Sequence, residues 1–61
     1  MKRQELLNIL NSMGVVFVRH GKKHDVYLQP ATKIETTVPR HSEIKKFTAK
    51  NIIKTLSSSI N

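Results

Sequence analysis

Leu6, Ile9, Leu10 and Met13 recur at intervals of three and four residues, with Leu7 beside them. That spacing lays an apolar stripe along one face of a helix and predicts helix over residues 3–13. Gly14 is the natural stop. Placed at C′ it takes the left-handed conformation of a Schellman motif, in which Val15 at C″ packs on Leu10 at C3. Beyond it the period shortens. Residues 15–20 are β-branched and aromatic and predict a first strand, with Gly21-Lys22 as its turn. Residues 24–29 alternate, setting His24, Val26 and Leu28 on one side and Asp25 and Tyr27 on the other. Pro30 ends that run, Ala31-Thr32-Lys33 supplies a second turn, and residues 34–38 form a third strand closed by Pro39. The helical period returns over about residues 48–57, where Thr48 is suited to N-cap and Ile52, Leu56 and Ile60 repeat at i, i+4 and i+8 beside Ile53. Ser57-Ser58-Ser59 are poor helix formers, so the last turn is expected to fray.

The predicted order is therefore α-β-β-β-α. Short turns join neighbouring strands into an antiparallel meander, and neither helix can bury its stripe alone. Both are expected on one face of a three-stranded sheet, an α+β two-layer sandwich whose other face or rim stays open to a ligand. With 61 residues the chain is expected to form a single domain over 1–61, with no room for a second core.

Composition narrows the function. No cysteine is present, which excludes disulfides and thiolate metal sites and fits a reducing compartment. No apolar run approaches the roughly 20 residues of a membrane span. Leu6-Leu7-Asn8-Ile9-Leu10-Asn11 is broken by asparagines and does not read as a signal peptide, so a cytoplasmic location is expected. Eleven Lys and Arg against four Asp and Glu give a net charge of +7. Such a field attracts polyanions: nucleic acid first, an acidic protein second.

The chemistry open to this chain is narrow. Gly14 and Gly21 lie in different elements and make no phosphate loop, and no serine sits in a nucleophile elbow. Glu5, Asp25, Glu35 and Glu43 are the whole carboxylate supply, too few for a nuclease-type metal cluster. His20, His24 and His41 lack the spacing of a zinc set, and no metal or cofactor is expected. What remains is histidine among cations. RNA carries its own nucleophile, the 2′-hydroxyl, so a metal-free ribonuclease needs only proton transfer and positive charge on the phosphate. Imidazole supplies the first near neutral pH, Lys and Arg the second. His24 follows Gly21-Lys22-Lys23 and stands at the sheet rim among cations, with Arg19 and His20 on the facing strand end. Taken by itself it reads first as a cap on an apolar face shared with Val26 and Leu28. His41 could anchor the loop after Pro39-Arg40, and His20 suits a solvated turn. Lys45, Lys46, Lys50 and Lys54 read either as the solvated face of the second helix or as a track for an RNA backbone. Phe17 and Tyr27 are expected in the core rather than as base-stacking platforms.

Several strings in the chain are specific. Arg19-His20-Gly21-Lys22-Lys23-His24-Asp25-Val26-Tyr27, Pro30, Thr37-Val38-Pro39-Arg40-His41 and Glu43-Ile44-Lys45-Lys46 follow in an order that resembles the HicA-type toxins. The opening helix ending at Gly14 and the closing helix with Ile52-Ile53 match as well, so the resemblance spans essentially the whole chain. It implies a double-stranded-RNA-binding-domain-like fold and ribonuclease activity on messenger RNA, with the histidine after the glycine turn, His24, as the catalytic residue. It also implies a HicB-type antitoxin that covers the active site. Where many HicA-type chains read Gly-Ser-His, this one reads Gly21-Lys22-Lys23-His24, with Lys23 in place of the serine. Phe47 stands where a glycine is common before the second helix.

The expected function is a metal-independent endoribonuclease toxin, with His24 as acid/base and Lys22, Lys23, Arg19 and Arg40 on the RNA phosphate. A non-catalytic module for duplex RNA, and a basic protein made only to meet an acidic partner, are the competing readings.

Overall fold

The computed structural model describes residues 1–57. The expectations for Ser58, Ser59 and Ile60 lie outside the described residues. The elements are α1 (Arg3–Ser12), β1 (Val16–His20), β2 (His24–Gln29), β3 (Ile34–Pro39) and α2 (Lys46–Ser57). The strands form one antiparallel sheet in the order β1-β2-β3. This is the α-β-β-β-α order read from the sequence, in an α+β fold.

The end of α1 is built as its sequence dictates. Gly14 has φ +85°, its N–H donates to the Asn11 carbonyl at 3.1 Å, and the Val15 N–H reaches back to Leu10 at 3.0 Å. Those two bonds are the Schellman pair, and Val15 and Leu10 are both buried in the main core. Val15 is thereby used up in closing the helix, so β1 starts at Val16 rather than at 15. At the other end of α1 no side chain caps the helix. Instead the Arg3 N–H donates to the Ser42 carbonyl at 2.9 Å, and a bridge between Lys2 and Glu43 ties the chain ahead of α1 to the segment ahead of α2.

The same tie corrects the start of α2. The helix begins at Lys46, not at 48, and the Lys45 carbonyl accepts its first bond, from the Ala49 N–H at 2.9 Å. Thr48 therefore sits within the first turn rather than capping it. The Ile44 N–H donates to the Met1 carbonyl at 2.8 Å and the Ile44 side chain is buried, so tertiary contacts aim the chain into the helix without a capping hydroxyl.

Leu6 and Leu10 from α1, Ala49, Ile52 and Leu56 from α2, and Val15, Val38 and Ile44 make one cluster. Leu6, Leu10 and Leu56 are almost fully buried, each contributing about 1.5–3 kcal/mol through removal from water. Val38 is paired with Asp25 and Thr36 with Tyr27, and paired residues share a face of the sheet. Both helices therefore cover the face that carries Asp25, Tyr27 and Val38. His24, Val26 and Thr37 lie on the open face, where His24 is paired with Pro39 and Val26 with Thr37.

Candidate active site

The site starts with a bulge in β1. Val16 and Phe17 pair with Leu28 and Tyr27, but after Val18 the register slips, and Arg19 pairs with Val26 and His20 with Asp25. In a regular ladder Val18 would oppose Val26, Arg19 would oppose Asp25 and His20 would oppose His24. The extra residue turns Arg19 onto the open face with His24 and turns His20 onto the covered face with Asp25. It sorts the two histidines.

The turn after β1 is closed by the Gly21 N–H donating to the His24 carbonyl at 2.7 Å. A β-carbon at position 21 would stand 2.7 Å from that same carbonyl oxygen, closer than real β-carbons approach, so only glycine closes this turn undisturbed. The glycine is needed at the hydrogen-bonded corner, which leaves positions 22 and 23 open to lysine.

On the covered side the turn is held by a buried carboxylate. Asp25, only 5% exposed, accepts Arg3 Nη2 at 2.7 Å on one oxygen, and His20 Nδ1 at 2.8 Å and Arg40 Nη1 at 2.9 Å on the other. The hydrogen bond from His20 holds its carboxyl below the usual aspartate range, Arg40 pulls the same way, and burial opposes them. An ionised carboxylate only accepts, so the His20 Nδ1 carries the proton in that bond. Arg3 Nε also donates to the Pro39 carbonyl at 2.8 Å. Arg40 Nη2 donates to the Gly21 carbonyl at 2.9 Å and to the Lys22 carbonyl. One guanidinium thus fastens the β1–β2 turn to the end of β3.

His24, one residue along, is different. Its side chain is exposed, and among the described residues the ring has no hydrogen-bond, ion-pair or ring-stacking partner. It stands between two hollows. One, of about 350 Å³, is lined by Arg19, Gly21, Lys22, Lys23, Val26 and Thr37 as well as His24. Val26 is its apolar floor, and Arg19, Lys22 and Lys23 supply its cations. The other, of about 280 Å³, runs between β3 and α2 and is lined by Phe47, Asn51, Thr36, Thr37 and Pro39 with His24.

Four of the five residues singled out in the sequence, His24, Lys22, Lys23 and Arg19, thus border one hollow, while Arg40 lies behind the turn and grips its main chain. His41 is exposed beyond β3 and lines a separate hollow with Glu43 and Ile44. His20 is solvated as expected, with its side chain 73% exposed, but it closes β1 and is not free: it is bonded to Asp25, and its ring lies 4.8 Å from that of Phe17. Phe17 itself is not core. It is 46% exposed on the edge strand and meets Tyr27 edge-on at 5.6 Å, while Tyr27 packs against the core as expected. Among the described residues no group of three or more His, Asp or Glu is placed to hold a metal ion. No described helix is long and apolar enough to cross a membrane.

Sequence reasoning missed the Asp25 cluster. The signal was present, because alternation set Asp25 on the side of Tyr27, and a carboxylate turned toward a core needs cations to meet it. Arg3 and Arg40 were the candidates. The exposure of Phe47 beside His24 was missed too, since only the packing of α2 against β3 puts the two in one groove.

A small basic α+β domain with a solvent-facing histidine at the rim of its sheet is the class these features define. Residues 3–57 match the family model described as the HicA toxin of bacterial toxin–antitoxin systems, and the chain belongs to that family. No curated protein and no solved structure matches it. Membership of a toxin–antitoxin family implies an antitoxin as partner.

Proposed function

We propose that this chain is a metal-independent endoribonuclease acting on messenger RNA, with His24 as its proton-transfer group and a HicB-type antitoxin as the protein that restrains it. The observation that carries this reading is the His24 ring, without a partner among the described residues, on the rim of a hollow that Arg19, Lys22 and Lys23 also line. The HicA family match supports it, and a net charge of +7 suits a polyanionic substrate.

RNA supplies the nucleophile. The imidazole of His24 takes the proton of a 2′-hydroxyl as the oxygen attacks the adjacent phosphorus. The O2′–P bond forms, the P–O5′ bond breaks, and the leaving 5′ oxygen takes a proton at the open, wetted rim. The products are a 2′,3′-cyclic phosphate and a 5′-hydroxyl end. Lys22, Lys23 and Arg19 hold the phosphate and stabilise the charge that builds on its oxygens in the transition state. Arg40 acts from behind, through Asp25 and the turn carbonyls, by keeping the backbone under His24 in place.

The test is cleavage of a messenger RNA in the presence of chelator. His24→Ala should lower the rate on the order of 10²–10⁴-fold with the melting temperature unchanged. Cleavage that needs a divalent ion, survives His24→Ala or leaves 5′-phosphate ends overturns the mechanism. Salt-sensitive binding to duplex RNA with no turnover would make the chain a binding module instead. Co-expression with a HicB-type partner should restore the growth of cells expressing the wild-type chain.

A further inference from the structure

Among the described residues Phe47 is the most exposed of the large apolar side chains, at 75%. It lies in the first turn of α2, off the stripe by which Ala49, Ile52 and Leu56 enter the core. Asn51 follows it at i+4 and so shares its side of the helix. Both border the groove between α2 and β3, together with Thr36, Thr37 and Thr48, and His24 stands at the β3 end of that groove. Burial does not explain the aromatic ring, because the core is closed without it.

The surroundings specify what would cover it. The groove offers one flat apolar face, one carboxamide and several hydroxyls. It leads, through His24, into the hollow lined by Lys22, Lys23 and Arg19. A ligand that fits both must have a flat ring with polar edges, joined to an anion. A nucleobase on its phosphate has that chemistry, and it reaches such a groove only from a single strand, where the base can be splayed out. The net charge of +7 favours this occupant over a basic peptide.

From this geometry we infer that Phe47 is a stacking platform for one base of single-stranded RNA, beside the phosphate held at His24, with the Asn51 amide and the Thr48 hydroxyl available to the base edge. The inference rests on the nuclease reading for the position of the phosphate, but its readout is binding.

The experiment uses the full chain and a short single-stranded RNA carrying 2′-O-methyl groups, which cannot be cut by its own 2′-oxygen. Phe47→Ala and Phe47→Leu should each weaken binding roughly ten- to hundredfold, the range of one lost base–aromatic stack. Phe47→Trp should retain affinity. The chain has no tryptophan, so that variant carries a single indole whose fluorescence the stacked base should quench. In a set of RNAs made abasic at each position in turn, one member should fail to quench, and for that member Phe47→Ala should cost nothing further. Melting curves of all three variants should coincide with wild type, because the side chain is exposed.

Binding by Phe47→Leu equal to wild type, or abasic RNAs that all quench like the intact strand, overturns the inference. So does unchanged RNA affinity with weakened antitoxin binding, which would make Phe47 a protein contact. If quenching holds but no His24-dependent cutting is found, the platform stands and the nuclease reading fails. If cutting depends on His24 while Phe47→Leu is silent, the platform alone fails.

Discussion

His24 and Asp25 are neighbours in β2, yet they face opposite ways and live in opposite conditions. Asp25 is buried and spends both oxygens on Arg3, His20 and Arg40. His24 is exposed and its ring is committed to nothing among the described residues. The alternation of a strand made this possible at a single step along the chain. On one side, hydrogen-bonding capacity is consumed in fixing a turn; on the other it is kept for whatever binds. A held carboxylate and an open imidazole thus fall on adjacent residues rather than on distant parts of the fold. His20 and His24, four apart in sequence, show the same division.

The comparison can be broken most severely at the two histidines. His24→Ala should lower cleavage on the scale given above and leave thermal melting in place. His20→Ala, which loosens Asp25, should retain His24-dependent cleavage at a reduced rate and shift the melting curve. If the two substitutions had the same effect on rate, the distinction between a held and a free histidine would not stand.

Deleting Val18 comes next. It removes the extra residue and leaves a regular ladder in which Arg19 still pairs with Val26 and His20 with Asp25, but without the bend and added twist that the bulge gives β1. The cations keep their face of the sheet, but the turn that carries His24 is displaced. Misplacement of a catalytic group by about 1 Å can cost on the order of 10²-fold, and a loss of that size is expected in kcat/KM. Circular dichroism should show that the sheet persists; unchanged cleavage would remove the bulge from the account.

Asp25→Asn probes the held side through pH. Because the folded Asp25 carboxyl titrates below its unfolded value of about 3.9, the ion cluster stabilises the fold fully above that value. Its contribution is lost as the pH falls from there through the lowered folded value. The variant should melt lower than wild type at neutral pH, and the gap should close on acidification in this window. A gap that stays constant down to pH 2 would show that the charge of Asp25 is not what matters.

The smallest effect is expected at the basic rim. Each lysine that neutralises a phosphate of a single strand contributes about −0.7 to the log–log salt slope of binding. Lys22→Ala and Lys23→Ala should each make the slope shallower by about that amount, with little change in melting. A slope that does not move would place the phosphate elsewhere.

The helix stop at Gly14 and the bounds of β2 could be read directly, because each rests on local chemistry: a left-handed residue, an alternating run, a proline. So could the grouping of Lys22, Lys23 and Arg19 around His24. The start of α2 could not, since Lys46 opens the helix under the pull of Ile44 and the Lys2–Glu43 bridge, contacts that span most of the chain. Nor could the bulge at Val18. Nothing in Val16-Phe17-Val18-Arg19-His20 signals an extra residue, and the decision belongs to the partner strand, where Asp25 offers His20 a hydrogen bond. Phe17 was misplaced for a related reason: an aromatic on an edge strand is covered only if a helix reaches it, and here its ring stays half open.

The grip of Arg40 on the turn has a consequence for what the turn can become. Its guanidinium holds the carbonyl oxygens of Gly21 and Lys22, atoms that every residue type possesses. Only the glycine corner is fixed by shape. The side chains at 22 and 23 are therefore free to drift over generations without unseating the histidine that follows. A pair of lysines can stand there, and a change at either position alters the charge of the rim while the scaffold beneath stays the same.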